Sequence, residues 1–108
     1  MQGKLPTLVK KTVNSFDPAA RVILFGSRAR GDSSNDSDWD FLILTPKKLN
    51  TKYKDQLRQS LYWVELSEDE VISSIIENAE IWKKYIHSNF YQNVSKEGVE
   101  ILLANSTE

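Results

Sequence analysis

The apolar positions of the chain divide it into short, regularly spaced elements. Leu5, Leu8, Val9, Val13 and Phe16 recur at helical spacing, and Pro6 suits a first turn, so a helix is predicted over 6–16. Asp17-Pro18 ends it. The run Arg21–Phe25, closed by Gly26, predicts a buried strand, and 38–44, stopped by Thr45-Pro46, predicts a second. Residues 27–37 between them are mostly Ser, Arg, Gly, Asp and Asn and read as a loop with one helical turn after Gly26. Asn50 is placed to cap a helix running to about 60, with Tyr53, Leu57 and Leu61 on one face. Tyr62–Leu66 reads as a third strand. The β-branched stretch 71–76 is expected to pair with it through a turn at Ser67–Glu70, with helix as the alternative. Helices follow over 79–87, with Ile81, Trp82, Tyr85 and Ile86 apolar, and over 89–97, ended by Gly98 as a left-handed cap. Leu102-Leu103 are candidates to pack, and 104–108 is a polar tail. Short strands and helices without repeat or linker predict one domain over 1–108, of α/β (α+β) class with one sheet.

Composition narrows the chemistry. The 108 residues carry no Cys, so neither a disulfide framework nor a Cys nucleophile is available. No apolar run approaches the ~20 residues of a membrane span, and the N-terminus lacks a signal-peptide core, so a soluble cytoplasmic chain without a membrane partner is expected. Fourteen Lys+Arg against fifteen Asp+Glu give a net charge of −1, which argues against direct nucleic-acid binding. The charges are unevenly spread. Residues 32–45 hold Asp32, Asp36, Asp38 and Asp40 and no base, between two basic stretches, and an acidic C-terminal half follows.

That acidic knot is the least easily explained as solvated surface. Turn chemistry accounts for Asp32, Asn35 and Asp36. It does not account for Asp40, inside an apolar strand where an unpaired charge is costly. Asp38 and Asp40 alternate on a strand, so they share a face with Cα atoms ~6–7 Å apart at ~3.3 Å rise per residue. Two like charges this close favour a cation between them. Oxygen-only ligands, too few to complete a shell, suit Mg²⁺ that keeps places for water and phosphate. At the other end of the loop, Gly26 permits close backbone approach and Ser27 begins a turn whose amides suit a phosphate. Arg28 and Arg30 add positive charge. A phosphate cradle and an acid pair flanking one loop suggest metal-assisted phosphoryl or nucleotidyl transfer. Two other readings fail. Gly26-x-x-x-x-Gly31 is followed by Asp32 where a P-loop needs Lys, and Asp36-x-Asp38-x-Asp40 runs into Phe41 where an EF-hand loop needs Gly.

Gly26-Ser27, ten intervening residues and Asp38-x-Asp40, with a strand on each side, resembles the signature of the DNA polymerase β nucleotidyltransferase superfamily. Leu24–Gly31 is similar to its minimal single-domain branch; the likeness is close over about 21–44 and looser beyond. The resemblance implies a polymerase β-type fold, a mixed sheet flanked by helices. It implies that Gly26 and Ser27 hold a triphosphate, with Arg28 or Arg30 on the outer phosphates. Asp38 and Asp40 would bind two divalent ions, Mg²⁺ by preference and Mn²⁺ as the alternative. A third carboxylate is expected on the strand after the next helix. With that strand at 62–66, Trp63 stands where an acid is common, and Glu65 is the only acid in phase, as a base or metal ligand.

The activity implied is transfer of AMP from ATP to a hydroxyl. The chain is too short for the accessory domain of larger relatives, so the acceptor is expected on another chain. A HEPN-domain partner in a toxin–antitoxin pair is the candidate the resemblance offers. The alternative is a degenerate, non-catalytic module of the same fold that neutralises a partner. A third reading is a homodimer whose acid knot binds one metal without nucleotide.

Overall fold

The computed structural model describes residues 3–103 of the chain; the polar tail predicted at 104–108 lies outside them. Helix α1 (Lys4–Phe16) buries Leu5, Pro6, Val9 and Val13, the stripe that its periodicity marked. Strand β1 (Arg21–Phe25) leads through Gly26 into one helical turn, α2 (Ser27–Arg30). Strand β2 (Trp39–Thr45) follows the acidic loop. Helix α3 (Thr51–Glu68) is capped by Asn50, whose Oδ1 accepts the Tyr53 amide at 2.8 Å. Strand β3 (Ile72–Asn78) then runs into α4 (Ala79–Trp82) and a 3-10 turn over Lys83–Tyr85. Helix α5 (Asn89–Glu97) and a short β4 (Val99–Glu100) complete the order.

The sheet has the order β3-β2-β1-β4 and is mixed. β1 is antiparallel to β2, with Phe25 opposite Asp40, and antiparallel to β4. β2 is parallel to β3, with Asp40 opposite Ser73. β2 is central, and the alternation of its side chains builds two cores. Phe41 and Ile43 pack with Val22, Leu24 and Ile76 under α1 and α3. Leu42 and Leu44 pack with Val94, Ile23, Phe25 and Trp82 on the other face. Phe41, Leu42 and Ile43 are fully buried, so truncating any of them to Ala costs about 2–5 kcal/mol.

The structure corrects the expectations for the second half of the chain. Tyr62–Leu66 is not a strand; it continues α3 to Glu68. Leu61 and Val64 extend the buried stripe of Tyr53 and Leu57, and this 3.6-residue period outweighs the β propensity of Tyr62, Trp63 and Val64. Tyr62, Trp63 and Leu66 are exposed. The 71–76 stretch is a strand, as favoured, but it joins β2 in parallel through the α3 crossover, not a hairpin. Asp69, at φ 53°, ends α3 in the left-handed region. Gly98 is extended (φ −67°, ψ 146°), not left-handed. Its requirement is space, because a Cβ there would collide with the Val94 carbonyl and lie 2.9 Å from Ile23 Cγ2. Ile101 is the buried anchor after β4, while Leu102 and Leu103 are exposed.

Candidate active site

The turn after β1 and the start of β2 meet because β1 and β2 pair antiparallel across the acidic loop. Phe25 opposite Asp40 places Gly26 beside the Asp40 side chain. Gly26 has φ 75°, and a Cβ on it would run into the Asp40 carboxylate. Glycine is required there twice, by backbone conformation and by close approach. The first intrahelical donors of α2 are the Ala29 and Arg30 amides, both to the Gly26 carbonyl at 3.0 and 3.1 Å. The Ser27 and Arg28 amides precede them and are first-turn groups without an acceptor inside the helix.

Asp38 is exposed and Asp40 half-buried, with Trp39 between them on the opposite face. Burial pushes the Asp40 carboxyl up from the ordinary carboxylate range, and the Asp38 charge pushes it further; Arg30 opposes both. This is the electrostatic condition that a divalent cation relieves. The donor set, the Asp40 carboxylate in β2 and the Asp38 carboxylate just before that strand, beside a glycine turn, fits Mg²⁺ held in part by phosphate oxygens. Among the described residues no group of three His, Cys, Asp or Glu gathers as a metal cluster.

The other predicted residues fall differently. Arg30 is exposed and paired with Asp32 at 3.1 Å and Glu97 at 2.9 Å, while its charge reaches Asp40. Arg28 turns to the opposite face, its guanidinium 4.3 Å from the Trp39 ring centroid and 3.7 Å from Glu70. Glu65 stands on α3, not on a strand, and its Oε2 accepts the Ile72 amide at 2.7 Å. Helix α3 packs over the face that carries Phe41, Ile72 and Ile76, so Glu65 is on the side of the sheet away from Asp40 and Ser73. Trp63 is on the exposed side of the same helix and says nothing about a third acid. The side chain beside Asp40 in register on the strand after α3 belongs to Ser73. Sequence reasoning missed Ser73 because it put that strand one element too early. It also missed Trp39 and Glu70, whose indole N–H to Oε1 bond is 3.0 Å.

The sequence marks Asp17 only as the end of α1, but the structure makes it a buried carboxylate. Asp17 is fully buried, with Oδ2 accepting from Thr45 Oγ1 at 2.5 Å and Tyr53 OH at 2.6 Å. Its Oδ1 accepts the Ala19 amide at 3.2 Å, and Lys47 Nζ lies 3.9 Å away. Burial alone would raise the Asp17 pKa, but these hydrogen bonds and the Lys47 charge outweigh it and hold the carboxyl below its usual value.

Comparison with known proteins gives the family and the fold. The family described as "Nucleotidyltransferase domain" matches residues 7–99. A Methanocaldococcus jannaschii protein, MJ0141, whose name proposes a protein adenylyltransferase, is 38% identical over 94 residues, covering 85% of this chain and 90% of that one. Among solved structures, a toxin–antitoxin with AMP-PNP superposes with a TM-score of 0.64 at 19% identity, over 93% of this chain and 74% of that one. A tri-AMPylated Shewanella oneidensis HEPN toxin in complex with MNT antitoxin gives 0.59 at 18% identity, over 96% and 74%. At these identities the two solved structures speak to fold.

Proposed function

The chain belongs to the nucleotidyltransferase domain family, and from that premise we propose that it transfers AMP from ATP, with Mg²⁺, to a hydroxyl on a HEPN-type partner protein. The observation that carries the reading is the meeting of Gly26 with the Asp40 carboxylate across the Phe25–Asp40 pair. It sets a turn suited to phosphate beside an acid pair suited to a cation. In this reading the Ser27 hydroxyl and the first-turn amides of α2 donate to the triphosphate, and Gly26 lets the chain lie close beneath it. Arg30, held ready by Asp32 and Glu97, neutralises phosphate charge. Asp38 and Asp40 would hold Mg²⁺, which when bound supplies charge neutralisation at the transferring phosphate. The acceptor hydroxyl oxygen bonds to the α-phosphorus and gives up its proton to solvent, the bond from the α-phosphorus to the α–β bridging oxygen breaks, and pyrophosphate leaves with that electron pair. The names of the relatives and structural neighbours, a protein adenylyltransferase and HEPN complexes, support the class of acceptor.

The experiment is incubation with α-labelled ATP, MgCl₂ and a HEPN-type protein, followed by gel autoradiography. Label is expected on the partner and is expected to disappear with Asp38→Asn/Asp40→Asn; no label on any protein would contradict transfer. One observation favours a second reading, a non-catalytic module that binds nucleotide or partner without turnover. Ser73 stands in register with Asp40 where an acid would complete the site. That reading predicts partner neutralisation unaffected by the double Asn variant.

A further inference from the structure

Asp38 and Asp40 are held by different means. Asp40 lies within β2 and is fixed by ladders on both sides, to Phe25 of β1 and Ser73 of β3. Asp38 precedes the first residue of β2, so the ladder does not hold it. Its neighbours are tied down by one side chain from the opposite end of the loop. The Arg28 guanidinium donates to the Ser37 carbonyl from Nε at 3.3 Å and from Nη2 at 3.0 Å, and Nη2 also reaches the Asn35 carbonyl at 3.4 Å. The same group lies over the Trp39 ring, 4.3 Å from its centroid. Glu70 closes the arrangement: Oε1 accepts the Trp39 Nε1–H at 3.0 Å and lies 3.7 Å from Arg28 Nη2. The Trp39 amide donates to the Val71 carbonyl at 2.9 Å. The peptides on both sides of Asp38 are therefore fixed, one by Arg28 and one by the β3 end. The Arg28 side chain is only 15% exposed, so solvent screens this clamp less than a surface ion pair.

We propose that Arg28 and Glu70, acting through Trp39, set the position of Asp38 against Asp40 and the Ser27 turn, which makes Arg28 a positioning residue and not a phosphate ligand. This inference rests on the nucleotidyltransferase reading above. Arg28 follows Ser27 directly, so one side chain ties the phosphate turn to the acid loop. A guanidinium suits the task because its planar fork donates to carbonyls at its edge while its flat face stacks on indole, and an ammonium cannot do both. Two carboxylates share a cation well only at a fixed separation, and loss of such outer supports typically costs 10–100-fold in metal affinity.

The test is calorimetric titration of ATP into the wild type, Arg28→Lys and Glu70→Gln, each in MgCl₂ and in EDTA, alongside thermal unfolding. Glu70→Gln keeps an acceptor for Trp39 and guards against a variant that simply fails to fold. The gain in ATP affinity due to Mg²⁺ is expected to fall about tenfold in Arg28→Lys, and by a smaller factor in Glu70→Gln, which loses only the charge beside Arg28. Affinity in EDTA and the unfolding midpoint are expected to change little, a split that a purely structural role would not produce. Folded variants with the wild-type Mg²⁺ gain would overturn the clamp and leave the nucleotidyltransferase reading standing. Equal loss in MgCl₂ and in EDTA for Arg28→Lys would make Arg28 a phosphate ligand and overturn it as well. A folded wild type that binds no ATP even with MgCl₂ would end the nucleotidyltransferase reading, and the clamp with it.

Discussion

Asp17 and Asp40 flank opposite ends of β2, and the fold treats them in opposite ways. Asp17 is fully buried against Thr45, and hydroxyls from Thr45 and Tyr53 with the Ala19 amide satisfy it. Its pKa is lowered in spite of its burial. Asp40 is half-buried beside Asp38, and both its burial and its neighbour push its pKa up. A carboxylate that the chain itself satisfies joins elements together, here the ends of α1 and β2 and the start of α3. The Asp40 carboxylate, raised by its burial and by Asp38, lacks such a set of hydroxyl donors among the described residues, and in the proposed function a cation supplies the missing charge. Composition does not separate the two, since both are Asp beside an apolar strand; the donors around them do.

The comparison breaks most visibly at Asp17. Asp17→Ala leaves the Thr45 and Tyr53 hydroxyls without their acceptor and removes several hydrogen bonds to one charge. Urea unfolding at neutral pH should show a loss of about 3–5 kcal/mol, a large share of a small domain's stability. Gly26→Ala comes next. It asks a side chain to adopt φ 75° and places a Cβ against the Asp40 carboxylate. A loss of about 1–3 kcal/mol is expected from the backbone strain, together with loss of Mg²⁺-dependent ATP binding.

The pH dependence of stability sharpens the contrast. The folded pKa of Asp17 is depressed, so its contribution is present above its unfolded value and is lost as pH falls through the folded one. The Tyr53 hydroxyl is pushed up to about 12, first by burial and then by its bond to Asp17. Its contribution is complete below its unfolded value near 10 and is lost as pH rises towards 12. Thermal unfolding across pH should therefore decline at both extremes, and Asp17→Asn should flatten the acid side. The smallest effect is expected from Ser73→Asp, which sets a like charge in register with Asp40. It should cost up to about 1 kcal/mol without divalent ions, and MgCl₂ should restore the loss by binding to the folded site.

The two sites were unequally legible in the sequence. Gly26, Ser27, Asp38 and Asp40 could be placed because they sit at the ends of two strands whose apolar runs are unambiguous. The spacing of the two acids reads as one shared strand face, although the strand begins only at Trp39, one residue later than the apolar run suggests. The third strand could not be placed, because aromatic and β-branched residues at 62–64 compete with a helical stripe that only packing under the sheet decides. Glu65 and Trp63 went astray with it, and Ser73 was hidden until the parallel register was known. Asp17 beside Pro18 looked like turn chemistry, since its partners Thr45 and Tyr53 lie 28 and 36 residues away. The Arg28–Trp39–Glu70 contact was equally invisible, joining residues brought together only when β3 lies beside β2.

In the proposed function the Asp38–Asp40 pair holds a cation for a nucleotide and adds nothing to the stability of the fold. Calorimetric ATP titration in MgCl₂ and in EDTA, on the wild type and on Asp38→Asn/Asp40→Asn, with the unfolding midpoint of each, decides this. Mg²⁺-dependent binding is expected of the wild type, with its loss in the double variant and a midpoint in that variant as high as the wild type's or higher. Binding that survives in the double variant, or a folded wild type that binds no ATP, would contradict it.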